Sequence, residues 1–343
     1  MKLLIITQVM DTNHPILGFF HGWVKEFAKS FIEVHVICLQ KGECSLPDNV
    51  HVYSLGKEDG ENRLKYLYRF YKYIWSLRTE YDHVFVHMNQ IYVILGAPFW
   101  RVWGKRVGLW YAHGAVTSSL FVSVLFSHIV FTSTPQGMRV NTSKRAIVGQ
   151  GIDSTQFISQ LRAPSEILRL ITIGRVAQSK NIDTLLRSVA ILKQKNIQFK
   201  LRIIGGSSNV QEERYFEEMI SLAAQLGVTD QIVWVGPLAH EQLPAELVVA
   251  DIFVHDGSTN SLDKTLVEAS FAGCVVISSN PSYRGLTELI APELLFPPND
   301  YKALSSRIFE QQNTSYQSTI LVREALLLSC GLPDLISSIV SRY

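Results

Sequence analysis

The feature that most constrains this chain is an alternation of short apolar runs with amphipathic helical patterns, run through twice. In the first half the strand-like runs are Leu3–Thr7, Glu33–Leu39, His51–Ser54, His83–His87, Arg106–Ala112, His128–Ser133 and Arg145–Val148. Helical patterns fall near Gly18–Lys29, Asn62–Thr79, Ile91–Trp100 and Thr117–Leu125. Strand-like runs separated by helix-length segments predict βαβ units around a mostly parallel sheet. Ile152 to Glu166 is polar and irregular, and reads as a linker. The alternation then restarts with LRLITIG, a helix over Ile182–Lys195, KLRIIGG, a helix over Glu212–Leu226, QIVWVG, a helix over His240–Val249, and DIFVHD. After a loop, helix and strand come Leu286–Leu289, ELLFPP and a helix over Asp300–Gln311. The expectation is an α/β chain of two Rossmann-like domains, 1–158 and 159–320, with ligands at the carboxyl ends of the strands in a cleft between them. The tail, 321–343, is helical in pattern with a break at Gly331-Leu332-Pro333.

Bulk properties narrow the function classes. A net charge of +2 on 343 residues excludes a global nucleic-acid signature, so any basic function is local. The four cysteines, Cys38, Cys44, Cys274 and Cys330, have no metal-ligand spacing. Cys38 and Cys274 lie in strand-like runs, as reduced core residues of a cytosolic protein would. The opening KLLIIT has no charged leader or cleavage pattern, and the longest apolar run, Leu120 to Phe131, is too short to span a bilayer. The expected location is cytoplasmic, either free or peripheral on the inner face of the cell membrane.

Two stretches carry chemistry. In Val254–Ser279 a strand, a small polar loop, a helix, a glycine stop and a second strand follow one another. The loop, Asp256 to Asn260, reads as exposed; Ser261 or Asp263 can cap the helix, and Gly273 supplies its left-handed stop. A helix N-terminus at the end of a parallel strand is a ready anion site. Glu268 shares a face with Ser261, Lys264 and Thr265, about 6 Å along the axis from Lys264 at ~1.5 Å per residue. One face can thus offer amides to a phosphate and, a turn later, a carboxylate to a pair of hydroxyls, which suits a nucleoside diphosphate. The bland reading is a capped helix with one exposed glutamate. The other stretch is ITIGRVAQSKNID, where Arg175 and Lys180 fall in the loop after the first strand of the second domain. A guanidinium fork and an ammonium there can clamp a diphosphate; a solvated loop is the plain alternative.

These segments together resemble the retaining glycosyltransferases of family 4 (glycosyl transferases group 1). Their pattern is G-R-x(4)-K-G after the first strand of the second domain, then E-x7-E on an apolar helix ending A-x-G. Gly174-Arg175 and Lys180 match, with Asn181 in place of the second glycine; Glu268 and Ala272-Gly273 match the later part. VGQGIDSTQF, HEQLPAELVVADIFVHDGS, LTELI and LLFPPNDYKALSSRI resemble further family segments in the same order, so the likeness covers nearly all of 145–310. The resemblance implies the GT-B fold, with the tail helix crossing back to the first domain. It implies that the first domain binds the acceptor and the second binds the nucleotide sugar. Arg175 and Lys180 would hold the donor diphosphate, amides of Lys264, Thr265 and Leu266 would face the distal phosphate, and Glu268 would accept bonds from the ribose hydroxyls. Gly18 falls where the family has a glycine-rich turn, and His113 matches a histidine beside the donor sugar; His87 is a second strand-end histidine. For either histidine the plain alternative is a buried, hydrogen-bonded side chain.

The implied activity is hexosyl transfer, with retention, from a nucleotide-diphosphate sugar to a glycan or lipid-linked acceptor in cell-surface polysaccharide or glycolipid assembly. The donor is a co-substrate, and neither a cofactor nor a metal is expected: the family usually needs no metal, and D-x-D does not occur in the chain. One position departs. Asn260, eight residues before Glu268, stands where many relatives have the first glutamate of E-x7-E beside the donor sugar. A silent nucleotide-sugar-binding protein, or a same-fold epimerase or phosphorylase, is therefore kept as an alternative. HEQLP begins like a zinc helix, but Pro244 stands at the fifth position and no metal site follows. Finally, Glu61–Glu80 places Lys65, Arg69 and Lys72 on one helix face among six aromatic residues. A basic aromatic helix suits an anionic membrane surface; a domain helix with an apolar core face and a solvated basic edge is the alternative.

Overall fold

The computed structural model describes residues 1–14, 16–159, 166–257, 260–311 and 317–343. They form two compact units, Met1–Asp153 with Ser329–Tyr343, and Ser154–Leu328. Part of the expected linker, 160–165, lies outside the described residues.

The first unit is built on β1 (Lys2–Met10), α1 (Phe20–Ser30), β2 (Glu33–Lys41), β3 (Val50–Ser54), α2 (Arg63–Ser76), β4 (His83–His87), α3 (Ile91–Val102), β5 (Arg106–Trp110), α4 (Ser118–Phe126), β6 (Ile129–Thr132) and β7 (Arg145–Ile147). Its seven strands are parallel, in the order β3-β2-β1-β4-β5-β6-β7. A strand covered on both faces reads as a continuous apolar run, and Leu3-Leu4-Ile5-Ile6 of β1 is wholly buried. On one face Trp23 and Phe27 of α1 pack with Leu335 and Ile336, which arrive on the last helix of the chain. On the other, Phe70 and Ile74 of α2, Trp100 of α3 and Leu120 of α4 form a second core. The four cysteines are free thiols, and burial pushes that of Cys38 up to about 12.

The second unit contains β8 (Leu168–Ile173), α5 (Ile182–Gln194), β9 (Phe199–Ile204), α6 (Val210–Gln225), β10 (Ile232–Gly236), α7 (Leu243–Val248), β11 (Ile252–His255), α8 (Lys264–Phe271), β12 (Val275–Ser278), α9 (Pro281–Thr287), α10 (Tyr301–Glu310) and most of α11 (Gln317–Cys330); the end of α11, from Ser329, and α12 (Leu332–Val340) belong to the first unit. The strands are again parallel, in the order β10-β9-β8-β11-β12. From β8 the chain winds outward through β9 and β10, then returns to the other side of β8 as β11. The loops after β8 and β11 therefore diverge, and the carboxyl ends of these two strands are the switch point at which open α/β sheets bind ligands. The two stretches singled out in the sequence are those two loops.

Candidate functional site

The loop after β8 is held tightly from behind. Gly174 N–H donates to the Ile204 carbonyl at 2.9 Å and Val176 N–H to Gly206 at 3.0 Å. A Cβ on Gly205 would fall 1.9 Å from the Gly174 carbonyl oxygen, so only glycine lets the two loops approach. The loop ends at Asn181, with φ 45° and ψ 48°, just before α5 begins. This accounts for the departure from G-R-x(4)-K-G: the position needs left-handed backbone, and asparagine is the side chain that tolerates it best after glycine. Asn181→Gly is expected to leave thermal stability nearly unchanged, whereas Asn181→Val should cost about 1–2 kcal/mol, read by urea unfolding.

The loop after β11 delivers α8. Its N-cap is Asp263, whose Oδ1 accepts from the backbone N–H of Thr265 at 3.4 Å and from its hydroxyl at 3.2 Å. Gly273, at φ 79°, ends the helix as expected. The preceding loop is not simply exposed. Asp256 and Gly257 are buried; the Asp256 carboxylate accepts from the Ser279 hydroxyl at 2.6 Å and from Asn299 N–H at 3.1 Å. That carboxylate ties the ends of neighbouring strands together. Residues 258–259 lie outside the described residues, and Asn260 is exposed, its carbonyl accepting from the Ser282 hydroxyl at 2.5 Å.

Lys180 reaches across from the β8 loop to this helix start and forms an ion pair with Asp263 Oδ2. His255, buried at the end of β11, completes the group. Its Nδ1 accepts from Gly257 N–H at 3.3 Å, so the neutral ring carries its proton on Nε2 and donates it to Asp263 Oδ2 at 3.2 Å. Burial opposes ionisation of Asp263, but Lys180 and His255 outweigh it and hold the carboxyl well below its usual range. The stability from this charge is fully present above about pH 4, the unfolded value, and is lost as pH falls through the depressed folded one. Asp263→Asn keeps a capping oxygen and removes the charge. The melting-temperature gap between wild type and this variant should hold above about pH 4 and close in more acidic buffer.

Glu268, one turn along α8 from Lys264, is buried rather than exposed, and its Oε1 accepts from His240 Nε2 at 3.0 Å. His240 sits in the turn before α7, its ring edge against Phe157 with centroids 6.5 Å apart. Lys264, between Asp263 and Glu268 in charge, is desolvated enough to push its ammonium well down despite both carboxylates. Arg175 does not join Lys180. Its guanidinium pairs with the buried Glu212 of α6, whose other oxygen accepts from Ser208 N–H at 2.8 Å.

Lys180, Lys264, Thr265, Leu266 and Glu268 thus come together at one helix start, Asn260 lies in the loop before it, and Arg175 lies on the neighbouring loop. His240, His255 and Glu212 were not singled out by sequence reasoning as members of this site, and Asp263 was named only as a candidate cap. The usable signal was that a glutamate inside an apolar helix needs a partner.

Gly18 and His113 belong to the first unit. Gly18 closes the turn before α1, its N–H donating to His14 at 2.9 Å; a Cβ there would fall 2.5 Å from the Thr12 carbonyl oxygen. His113 is exposed in the loop after β5. His87 is buried, stacked on Phe20 with centroids 4.0 Å apart and within 3.3 Å of the Thr7 hydroxyl, as a core histidine would be. On α2, Lys65 pairs with Glu61, and Arg69 with Glu61 at 3.2 Å and Asp59 at 3.8 Å, while Lys72 is exposed.

Known proteins resemble this chain in sequence and in fold. Residues 153–311 match the family model described as Glycosyl transferases group 1. A putative colanic acid biosynthesis glycosyltransferase, WcaL, of Escherichia coli is 26% identical over 200 residues, covering 55% of this chain and 47% of that one. A GDP-mannose-dependent alpha-(1-6)-phosphatidylinositol monomannoside mannosyltransferase of Mycobacterium tuberculosis is 27% identical over 146 residues, 38% of this chain and 36% of its own. The matched stretch therefore spans less than half the length of either relative. Among solved structures, Anabaena HepE, crystallised with UDP, superposes over 100% of this chain and 99% of its own with a TM-score of 0.79 at 15% identity, a likeness of fold. Residues 153–311 thus match the glycosyl transferases group 1, family 4, and the two parallel-sheet units have the GT-B fold.

Proposed function

We propose that this chain is a glycosyltransferase that takes a hexosyl group from a nucleotide-diphosphate sugar and places it, with retention, on a glycan or lipid-linked acceptor in polysaccharide or glycolipid assembly. The observation that carries the reading is the meeting of Lys180 with the N-terminal turn of α8 at the switch point of the second sheet. Breaking a sugar–phosphate bond builds negative charge on the leaving diphosphate. An ammonium and the first amides of α8, at Lys264, Thr265 and Leu266, would be donors for that charge once Asp263, which accepts from Thr265 N–H at 3.4 Å and from Leu266 N–H at 3.3 Å, gives them up. The Asp263 carboxylate holds Lys180, and a diphosphate would compete for the same ammonium. Arg175 would turn from Glu212 to the phosphates.

Glu268 would take the ribose hydroxyls. His240 holds one carboxylate oxygen and fixes the group's direction, and the other is the oxygen a hydroxyl would meet. Asn260 would lie beside the donor sugar with an uncharged amide in place of a carboxylate. Gly18 and His113 keep the roles that the family resemblance implies. The HepE structure with UDP and the GDP-mannose dependence of the mycobacterial relative support a nucleotide-sugar donor without choosing its base.

The test is release of nucleoside diphosphate from UDP-glucose, UDP-galactose, GDP-mannose and ADP-glucose, with lipid-linked and soluble sugar acceptors. Acceptor-dependent release that disappears in Lys180→Ala supports the transferase. Tight donor binding without turnover over the whole panel would favour the silent binder instead, and release of a free epimerised or phosphorylated sugar the same-fold alternatives.

A further inference from the structure

The first unit carries an outer surface that its own core does not use. Helices α2, α3 and α4 form one layer, and their inward residues Phe70, Ile74, Val93, Trp100, Leu120 and Val124 fill a single core against the sheet. The amphipathic pattern of α2 suggests that its remaining apolar residues pack inward too. Tyr66, Tyr71 and Tyr73 do, but three others do not: Leu64 is 78% exposed, Tyr68 68% and Trp75 54%. At 100° per residue these three fall on one stripe, turned away from Phe70 and Ile74. The stripe continues onto α3 through Trp75, whose ring lies edge-on to Trp103 at 5.6 Å and to Phe99 at 6.4 Å, and on to Val102, which is 83% exposed. On α4, Phe121 and Leu125 are also exposed.

The charge on this layer is one-sided. α2 carries four cations, α3 one and α4 none, and no acidic residue occurs in any of the three helices, although the whole chain is nearly neutral at +2. Lys65 and Arg69 are drawn to Glu61 and Asp59, and Arg69 also donates to the Leu55 carbonyl at 3.2 Å. The exposed cations around the apolar stripe are Arg63, Lys72, Arg78 and Arg101. Arg78 lies over the Trp75 ring at 5.3 Å, and Arg101 over Phe126 at the same distance. Apolar patches of this extent mark contact sites. Exposed tryptophan and tyrosine rings with long cations beside them, and no carboxylate on the helices, match the boundary between headgroups and acyl chains of an anionic bilayer. No helix of the described residues is long and apolar enough to cross a membrane, so the contact is one of lying on the surface.

We infer that the outer face of α2, α3 and α4 docks on an anionic lipid surface, with Leu64, Tyr68, Trp75 and Val102 entering the interface and Arg63, Lys72, Arg78 and Arg101 meeting the headgroups. This places the contact on the apolar stripe and its flanks. The Lys65–Arg69 edge, which the sequence pointed to, is occupied by the unit's own carboxylates.

The experiment is flotation of the full chain with phosphatidylcholine vesicles, with and without phosphatidylglycerol. Wild type should float with the anionic vesicles and be released by high salt in part. Leu64→Ser/Tyr68→Ser/Val102→Ser and, separately, Lys72→Glu/Arg101→Glu should each weaken binding by about tenfold or more. Circular dichroism and melting temperature check that both remain folded, and UDP binding, read alongside, reports the donor site independently. No association of wild type with anionic vesicles, or binding as strong as that of wild type in both variants, would overturn the inference. So would light scattering that finds a dimer in wild type and a monomer in the serine variant, since a second copy would then cover the face.

Discussion

Replacing Lys180 by alanine is expected to lower kcat/KM for the donor by about 10²–10³, most of it in kcat, because under the proposed function the ammonium would meet charge that exists fully only as the diphosphate leaves. The structure makes the expectation specific. Lys180 is drawn to the start of α8 by Asp263 and packed against the glycine that opens its own loop: a Cβ on Gly174 would lie 3.2 Å from Lys180 Cε. Its stem is therefore fitted to a narrow passage. Lys180→Arg keeps the charge but brings a broad planar fork into that passage, and should recover only a minor part of the activity. Lys180→Ala also leaves the Oδ2 oxygen of Asp263 with His255 alone, so a loss of stability of about 1–3 kcal/mol is expected. A melting-temperature measurement separates that loss from the kinetic one. Unchanged kcat in a folded Lys180→Ala protein would remove this residue from the reaction.

Glu268→Ala should act differently. A carboxylate that accepts from two ribose hydroxyls holds donor and transition state alike, so its removal should raise KM about tenfold to a hundredfold, at ~1.5–3 kcal/mol for bonds to a charged group, with a smaller change in kcat. Glu268→Gln keeps the shape and one acceptor oxygen and should fall between. The contrast with Lys180 is the informative part. One variant should weaken the chemical step and the other the grip on the nucleoside, although both side chains address the same helix. Equal effects on kcat and KM in both variants would mean that the two groups act as one structural unit.

The scaffold was legible because its signal is local. A buried parallel strand such as Leu3–Ile6 must be apolar on both faces, and an amphipathic helix must repeat near every fourth residue, so the alternation predicts both sheets from short windows. Helix ends were legible for the same reason: the cap, narrowed in the sequence to Ser261 or Asp263 and found to be Asp263, and Gly273 as stop depend on their own neighbours. Partners were not legible. Lys180 and Asp263 lie 83 residues apart, and His240 and Glu268 28 apart; they meet only because β8 and β11 become neighbours and α7 packs beside them. A charge in a loop reads as solvated until the residue that faces it is known. Hence Glu268 reads either as a ligand of ribose hydroxyls or as a plain exposed glutamate, and its burial against His240 is not foreseen; His240, dismissed with the failed zinc pattern, touches the residue on which the donor reading most depends. Asp256 misleads in the same way, since small polar residues predict an open loop whether or not a carboxylate folds back to pin two strand ends. On α2 the error runs the other way: helical periodicity identifies an apolar stripe but not the side of the helix that meets the sheet. Phe70 and Ile74 take the core, and Leu64, Tyr68 and Trp75 are left outside.

The central claim is that the crevice between β8 and β11 grips a nucleoside diphosphate through Lys180 and Glu268. Calorimetric titration of UDP, GDP and ADP into wild type, Lys180→Ala and Glu268→Ala addresses it without an acceptor. The account predicts that wild type binds at least one of the three diphosphates and that each variant binds it about tenfold or more weakly. Binding of the same affinity in all three proteins, or none of the three diphosphates bound by wild type, would contradict it.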